Sequence, residues 1–372
     1  PKEKDADVRL RVDGILKRVY TWDKETYFKV VRVIFLNANV DADKKQYLHD
    51  SKLIQTLNDT LYEFRFSAIP TNFGPAVVLR QYTGLANTYK MENLGFSGYG
   101  VKILKRMMYA PYGIFLISGP TGSGKTSTLY SMILELGRSL ENKVLTVEDP
   151  VELNIPFAVQ VQVNMNNKVN FATSMRSFLR HDPDIILVGE IRDLETANEA
   201  VTAANTGHLV FSTIHTNTSI EILTRLLAIG LERWKITSAL LGGMGQRLFK
   251  KLCFNCNYKI NRAEYKKKLE QIDIFLDDIP YYSKIDEFTI STGCEKCGYS
   301  GYIGRTVIYE VFEINDNLKD LIERGCSFLE LKKELKALGF KSMIENSEAY
   351  IVSGETSVNE MFRLFGSYLY KD

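Results

Sequence analysis

Alternating apolar and polar residues open the chain. Val8, Leu10 and Val12 alternate with charged residues, and Asp13-Gly14 then precedes a second alternating run. An Asp-Gly pair between two such runs predicts a β-hairpin. The following segment TYFKVVRVIFLNANV has helical spacing, although its β-branched residues are also compatible with a strand. YEFRFSAIPTNFGPAVVLRQY alternates on both sides of a turn, so these residues predict a small α+β unit.

The pattern changes after a predicted boundary at Gly95, Gly98 and Gly100. Short apolar runs now alternate with helical stretches, which predicts an α/β fold whose parallel sheet is covered on both faces. The segment 225–252 is interpreted as further helices, and the tail 317–366 as mostly helical. The apolar runs are GIFLIS (113–118), KVLTV (143–147), DIILV (184–188) and HLVFSTI (208–214).

Composition adds limits to this pattern. A chain of 372 residues predicts two or three domains, and 45% hydrophobic residues can bury a sizeable core. The net charge of +2 does not indicate nucleic acid or an anionic membrane as a partner. No apolar run approaches the ~18 residues of a membrane span. The chain begins at Pro1 without a methionine or an export signal, so we expect a cytosolic fragment that lacks upstream residues.

The stretch GPTGSGKTSTLY contains the spacing G-x-x-x-x-G-K-[ST] of a phosphate-binding loop. Its glycines let backbone N–H groups surround phosphates, and the following helix adds its positive end. Lys125 is expected to pair with the β and γ phosphates of ATP, and the Thr126 hydroxyl to bind Mg²⁺. The predicted ATP-binding residues are Gly119, Pro120, Thr121, Gly122, Ser123, Gly124, Lys125, Thr126 and Ser127.

A strand that ends in acidic residues is expected beside this loop. In DIILVGEIRD, Glu190 follows the apolar run and is the candidate to support Mg²⁺ or to orient the attacking water. An ion pair of Glu190 with Arg192 is the alternative. Glu148 and Asp149 follow another strand and could polarise water, or could simply form a polar turn.

Two of the four histidines and several arginines complete the set of candidates. His208 and His215 flank one apolar run, and His215 could sense the γ-phosphate through a hydrogen bond. Hydrolysis gains from a cation that the loop itself lacks. Arg65 and Arg80, on facing strands of the first domain, are candidates for it, as are Arg9 and Arg11; solvated arginines on a strand face are the alternative.

The cysteines form two CxxC pairs, with Cys326 apart from them. The pairs are separated by 37 residues (257–293) and offer four thiolates, which suit a tetrahedral structural Zn²⁺ site. Free thiols, a redox pair or an iron–sulfur cluster remain alternatives. The predicted ligands are Cys253, Cys256, Cys294 and Cys297.

These motifs occur in an order that strongly resembles the secretion ATPase superfamily, the motors of type II secretion and type IV pilus assembly. The motifs are GPTGSGKTSTLY, TVEDPVE, LRHDPDIILVGEIRDLETANEAVTAANTGHLVFSTIHTN, QRLFKKLCFNC and GCEKCGYSGYIGRTVIYEVFE. The resemblance implies a PAS-like domain (1–95), a linker (96–104) and a RecA-like domain (105–372) with a zinc-binding insertion (about 250–300) and a helical tail, ATP being bound between the domains. It also implies an Asp-box role for Glu148, a Walker B role for Glu190, a His-box of His208 and His215, and phosphate contacts for Arg65 and Arg80.

The resemblance further implies a homo-hexamer that is cytoplasmic and peripheral to the inner membrane, which it reaches through a platform protein and other secretion or pilus components. The two CxxC pairs, Cys253-x₂-Cys256 and Cys294-x₂-Cys297 (the cysteine hooks), favour the extension and secretion branch, because retraction motors typically lack them. One departure is Gly74-Pro75, where relatives usually have Gly-Glu, so a role tied to that glutamate does not transfer. The upstream domain that docks such motors to an inner-membrane partner is expected to be absent from this fragment.

Two other functions fit a P-loop protein. A nucleic-acid translocase would need a basic groove with aromatic platforms, and the chain has a modest lysine-rich stretch but little net charge, so no direct nucleic-acid partner is expected. A small-molecule kinase would need an acceptor site or a lid, and the sequence indicates neither.

Overall fold

The structure, a computed structural model, describes residues 1–38, 40, 48–58, 60–81, 91–96, 99–138 and 141–370. The predicted boundary glycine Gly98 lies outside these residues. The chain divides into two compact units, Pro1–Thr88 and Tyr89–Asp372. The predicted domain names and limits stay predictions.

The first unit begins with the predicted hairpin, which is confirmed. Strands β1 (Asp5–Val12) and β2 (Ile15–Asp23) pair antiparallel. Asp13 and Gly14 have φ angles of 49° and 83°. Two positive φ angles match the twist of the flanking strands, and Asp-Gly is one of the few pairs that adopt them readily.

The segment that fitted a helix or a strand is helix α1 (Lys24–Asn37). Asp23 caps it by accepting a hydrogen bond from the Thr26 N–H at 2.9 Å. Tyr27, Val31 and Phe35 are buried, and this spacing of four gives the helix one apolar face. That face packs into a core with an antiparallel sheet of β3 (His49–Leu57), β4 (Thr60–Ile69) and β5 (Ala76–Gln81).

The second unit is built around a seven-stranded sheet in the order β14-β11-β6-β10-β9-β7-β8. All neighbouring pairs are parallel except β11 with β14, so the predicted α/β fold with a parallel-rich sheet is confirmed. Strands β12 and β13 form a separate pair. The strands are β6 (Gly113–Ser118), β7 (Val144–Glu148), β8 (Ala158–Gln162), β9 (Ile185–Val188), β10 (Leu209–Ile214), β11 (Leu240–Leu252), β12 (Asn257–Asn261), β13 (Glu287–Ser291) and β14 (Tyr302–Glu313).

Helices cover both faces of this sheet, which explains the continuous apolar runs. On β6, Ile114 and Leu116 face one core cluster, while Phe115 and Ile117 face the other. Helices α2 and α3 contribute to the second cluster, and α4–α7, α9 and α10 to the first. The helices are α2 (Tyr99–Met108), α3 (Lys125–Leu136), α4 (Phe171–Phe178), α5 (Leu194–Asn205), α6 (Glu221–Ala228), α7 (Arg233–Ala239), α8 (Arg262–Glu270), α9 (Asp316–Arg324), α10 (Phe328–Ala337), α11 (Met343–Val352) and α12 (Val358–Phe365).

The helical interpretation of 225–252 is wrong in its second half. Helix α7 ends at Ala239, and the chain continues as the long strand β11. The strand lies between β6 and β14, where a Cβ on Gly242 would come within 2.3 Å of the Phe312 carbonyl oxygen. Pairing on both sides therefore decides the conformation here, as tertiary context often overrides local propensity.

The insertion and the tail share a third core. Helix α8 and the β12–β13 pair contribute apolar side chains to it, as do α11 and α12. The predicted helical tail is confirmed by α9–α12. Within the described ranges, no helix combines the length and the apolar character that a membrane span requires.

Candidate functional site: a phosphate-binding loop and a four-cysteine cluster

The predicted phosphate-binding loop joins the carboxyl end of β6 to the first residue of α3. Gly119, Gly122 and Gly124 have φ angles of 146°, 80° and 89°. Residues with a Cβ rarely adopt these angles, so the loop needs glycine to curl around a phosphate. The nine predicted ATP-binding residues thus lie in one tight turn and the first turn of α3, where helix N–H groups and the helix dipole favour an anion.

Lys125 lies across this loop. Its Nζ donates hydrogen bonds to the carbonyl oxygens of Gly119 at 2.7 Å and Pro120 at 3.2 Å. Burial lowers the pKa of Lys125, and the nearby Glu190 carboxylate opposes that effect. The ammonium group is therefore held where the phosphates of a nucleotide would meet a positive charge.

Glu190 and His215 approach the loop from neighbouring strands. Glu190 follows β9 and is 9% exposed, while His215 follows β10. The His215 Nε2 lies 3.3 Å from Glu190 Oε2, and Arg192 also pairs with Glu190. The alternative ion pair of Glu190 with Arg192 is therefore present, and the catalytic role of Glu190 stays a prediction. The strand order corrects one expectation, because β10 lies between β6 and β9 and the acidic strand is not adjacent to the loop strand.

Glu148 is buried and its carboxylate is occupied by protein donors. Thr146 Oγ1 donates to it at 2.6 Å, Gln160 Nε2 at 3.1 Å, and the Tyr130 hydroxyl donates as well. Burial and the Glu148 charge both raise the pKa of Tyr130, which keeps its hydroxyl protonated as a donor. Asp149, the next residue, is exposed. Of the two predicted carboxylates, Asp149 is therefore the one that faces solvent.

His208 lies at the other end of β10 from His215. Strands β10 and β6 are parallel and in register from Leu209 with Gly113 to Ile214 with Ser118. The His208 Nδ1 lies 2.8 Å from the Ala203 carbonyl oxygen at the end of α5. The structure therefore does not bring His208 to the loop within one chain, and its functional role stays a prediction.

Arg65 and Arg80 are direct cross-strand partners on β4 and β5 of the first unit. The Arg65 Nε donates to Asp50 Oδ1 at 3.0 Å. Pro75, at the position of the family's glutamate, is buried, and its carbonyl accepts a hydrogen bond from the Tyr27 hydroxyl. The catalytic roles of both arginines stay predictions.

The four cysteines of the two hooks form a cluster whose Sγ atoms all lie within 4.8 Å of one another. Cys253 Sγ lies 3.8 Å from Cys294 Sγ, and Cys256 Sγ lies 3.9 Å from Cys297 Sγ. Four sulfurs around Zn²⁺ at bonds of about 2.3 Å would be about 3.8 Å apart. The donor set and its spacing therefore fit a tetrahedral metal ion.

Backbone N–H groups surround the same sulfurs. Burial opposes ionisation of Cys297, but N–H groups of Cys294 and Gly301 at 3.1 and 3.3 Å from its Sγ, together with neighbouring thiols, lower its pKa to about 6. Such donors stabilise thiolate ligands and orient them. The cluster has no carboxylate or histidine among its ligands, so it resembles a closed structural site.

Two buried residues near the loop are not among the predicted site residues. The sequence pattern predicts a helix at Gln246, where the structure has strand β11, and it indicates no role for Tyr130. Gln246 is 1% exposed and contacts the loop, while Tyr130 holds Glu148. A signal was available for Gln246, since a glutamine within an apolar run needs a buried partner.

The fold and the loop together define a P-loop nucleotide-binding protein with an accessory four-cysteine cluster. The family model described as "Type II/IV secretion system protein" matches residues 1–363. The chain belongs to this family, and the predicted family resemblance is confirmed.

Curated relatives agree with this assignment. The chain is 37% identical to the type II secretion system protein HxcR of Pseudomonas aeruginosa, over 98% of this chain and 72% of that protein. It is 37% identical to the type II secretion system ATPase E of Vibrio cholerae, over 97% of this chain and 70% of that protein. It is 35% identical to the type IV pilus assembly ATPase PilB of Thermus thermophilus, over 97% of this chain but 40% of that protein.

Solved structures support the fold. The chain resembles the Legionella pneumophila ATPase DotB with a TM-score of 0.68 and 20% identity, covering 96% of this chain and 90% of the other. It resembles the pilus retraction motor PilT with bound ADP with a TM-score of 0.65 and 24% identity, covering 97% and 93%. At these identities, the likeness concerns the fold alone.

Proposed function

We propose that this chain is an ATPase whose hydrolysis of ATP powers type IV pilus assembly or type II protein secretion. The observation that carries the proposal is the electrostatic interaction of Lys125, in the loop that follows β6, with Glu190, which also contacts His215. A cation for the phosphates lies beside a carboxylate that can act on Mg²⁺ or water. The names of the relatives, which are secretion and pilus proteins, supply the process.

The loop and its strands suggest how the residues divide the work. Lys125 would neutralise the β and γ phosphates, and the Thr126 hydroxyl would bind Mg²⁺. Glu190 would support Mg²⁺ or orient water, and His215, 3.3 Å from it, would respond to the γ-phosphate. We retain Arg65 and Arg80 as candidates for the additional cation that stabilises the transition state.

We propose Zn²⁺ for the four-cysteine cluster, because four thiolates at tetrahedral spacing prefer it. When bound, the ion would join the chain after β11 to the chain before β14, since the hooks lie at these two places. Its contribution would be structural.

We propose that the working form is a homo-hexamer in the cytoplasm that reaches the inner membrane through other pilus or secretion components. Support for the link to those components comes from the relatives, which are named for type II secretion and type IV pilus assembly. The nucleic-acid translocase alternative gains no support from the same relatives.

Phosphate release under saturating Mg²⁺ and ATP tests the ATPase proposal. Lys125→Ala should abolish nucleotide binding and turnover, because the phosphate charge loses its partner. Glu190→Gln should still bind ATP but turn over at least about 100-fold more slowly, within the usual range for a lost general base.

Lys102→Ala is the control, because it removes an exposed lysine of α2 that is not part of the loop. Turnover by Lys125→Ala at the level of Lys102→Ala would refute the ATPase proposal. Near-normal turnover by Glu190→Gln would remove Glu190 from the catalytic set and leave the nucleotide site in place.

A further inference from the structure

Strand β11 continues past the point at which β6 turns into the phosphate-binding loop. Gly245 of β11 is in register with Ser118, the last residue of β6. The next residue, Gln246, is 1% exposed and lies directly under the loop. A buried amide at this position has both a donor and an acceptor to satisfy.

Gln246 satisfies both through the loop and its helix. Its Nε2 donates to the Ser123 carbonyl oxygen at 2.8 Å, and its Oε1 accepts from Thr128 Oγ1 at 3.0 Å. Ser123 precedes the last glycine of the loop, and Thr128 lies in the first turn of α3. The side chain therefore bridges the two parts of the structure that would hold the phosphates.

The bond to Ser123 has a consequence for the next residue. In a planar trans peptide, the C=O and the N–H point in opposite directions. The peptide between Ser123 and Gly124 has its carbonyl held toward β11, so the Gly124 N–H points away from the strand. Gly124, with φ 89°, could otherwise let this peptide rotate.

We propose that Gln246 is a positioning residue for nucleotide binding: it fixes the Ser123–Gly124 peptide so that the Gly124 N–H is presented to the phosphates of a nucleoside di- or triphosphate. The inference rests on the proposed nucleotide-binding function and adds a residue outside the loop motif to it. It acts through the loop and touches no reacting atom.

The close approach of strand and loop supports this role. A Cβ on Gly119 would come within 2.4 Å of the Gln246 carbonyl oxygen, and a Cβ on Gly124 within 3.1 Å of the Gln246 Nε2. The loop thus rests on β11 at both of its ends. These two glycines are needed for contact with Gln246 as well as for their positive φ angles.

Titration of the full chain with a fluorescent ribose-labelled ADP tests the proposal. Gln246→Met has a similar length and removes both hydrogen bonds, so ADP affinity should fall about tenfold. Thr128→Val removes one of the two bonds and should weaken ADP by about threefold. In turnover assays, the KM for ATP should rise while kcat changes less than about twofold, the signature of lost ground-state binding.

Gln271→Met, the same substitution at an exposed site after α8, is the matched control and should bind ADP like the wild type. Equal ADP affinities of Gln246→Met and Gln271→Met would overturn the inference, as would a fall in kcat with unchanged ADP affinity. If the wild type bound no ADP, or Lys125→Ala bound it normally, the proposed function would fail instead.

If Gln246→Met does not fold, Gln246→Glu takes its place. It keeps the acceptor for Thr128 but sets an oxygen against the Ser123 carbonyl, so its ADP affinity should fall further than that of Thr128→Val. ADP affinity of Gln246→Glu equal to or above that of Thr128→Val would contradict the proposal.

Discussion

At the scale of the residue, one hydroxyl organises the segment that follows β7. Tyr130 donates to Glu148 and accepts hydrogen bonds from the N–H groups of Glu152 at 3.1 Å and Leu153 at 3.3 Å. Because Tyr130 lies in α3, this hydroxyl ties the helix that starts at the phosphate-binding loop to the turn that carries Asp149. Glu148 is thus bound by buried protein donors, a contact set that the sequence pattern does not predict.

Tyr130→Phe should remove the hydroxyl with these hydrogen bonds and keep the buried ring. Leaving a buried carboxylate and two N–H groups with one partner fewer should cost about 1–3 kcal/mol of unfolding free energy. Turnover should fall several-fold, because the turn with Asp149 loses its anchor, whereas ADP affinity should change less than twofold. Urea unfolding, phosphate release and ADP titration measure the three quantities.

A buried tyrosine far from the loop gives the comparison. The Tyr282 hydroxyl lies 2.7 Å from Ser347 Oγ in the core shared by the insertion and the tail. Tyr282→Phe should also lower stability but leave turnover unchanged. A turnover for Tyr130→Phe that matches Tyr282→Phe would mean that the Tyr130 hydroxyl is structural only.

At the scale of the element, β11 links the two sites. It carries Gln246 under the loop and ends at Leu252, one residue before the first cysteine ligand. The Leu252 N–H donates to the Glu355 carbonyl oxygen at 2.8 Å, and the Cys253 N–H donates to the Gly301 carbonyl oxygen at 2.9 Å. The end of β11 is therefore held by the tail and by the segment that follows the second hook, and a metal ion would strengthen this junction.

Cys253→Ser should lower the zinc content and the melting temperature, by about 5 °C or more if several kcal/mol of metal-dependent stability are lost. Cys326→Ser is the control, because Cys326 lies outside the cluster. Elemental analysis and thermal unfolding give the two readouts. Purified wild-type protein without bound metal would contradict the zinc proposal, and equal melting of the two variants would show that the cluster does not stabilise the chain.

At the scale of the whole molecule, each chain has its phosphate-binding loop in one unit and the paired arginines in the other. The proposed hexamer makes turnover a property of the assembly as well as of the chain. The relatives' names refer to type II secretion and to type IV pilus assembly.

Specific activity should therefore rise with protein concentration and reach a plateau as rings form. Arg80→Ala or Arg65→Ala should reduce the plateau by at least about 100-fold if that arginine supplies the transition-state cation. Exposed Arg18 on β2 offers a control substitution in the same unit. Activity that is independent of concentration and of both arginines would indicate a self-contained site and would count against the proposed hexamer.

Local chemistry was sufficient for much of this protein. Short stretches of neighbouring residues specify the hairpin at Asp13-Gly14, the loop that ends in Lys125, the buried parallel strands and the spacing within each cysteine hook. Each of these depends on φ angles, side-chain period or metal-ligand preference over a few adjacent residues. Such constraints act whatever the rest of the chain does.

Long-range packing set the order of the strands and the neighbours of each side chain. It placed β10 between β6 and β9, made 240–252 a strand, buried Glu148 and set His208 at the opposite end of β10 from His215. It also brought Gln246 into contact with Ser123 of the loop, which lies 123 residues earlier in the sequence. Strand order and burial depend on pairing between distant segments, which local periodicity does not encode.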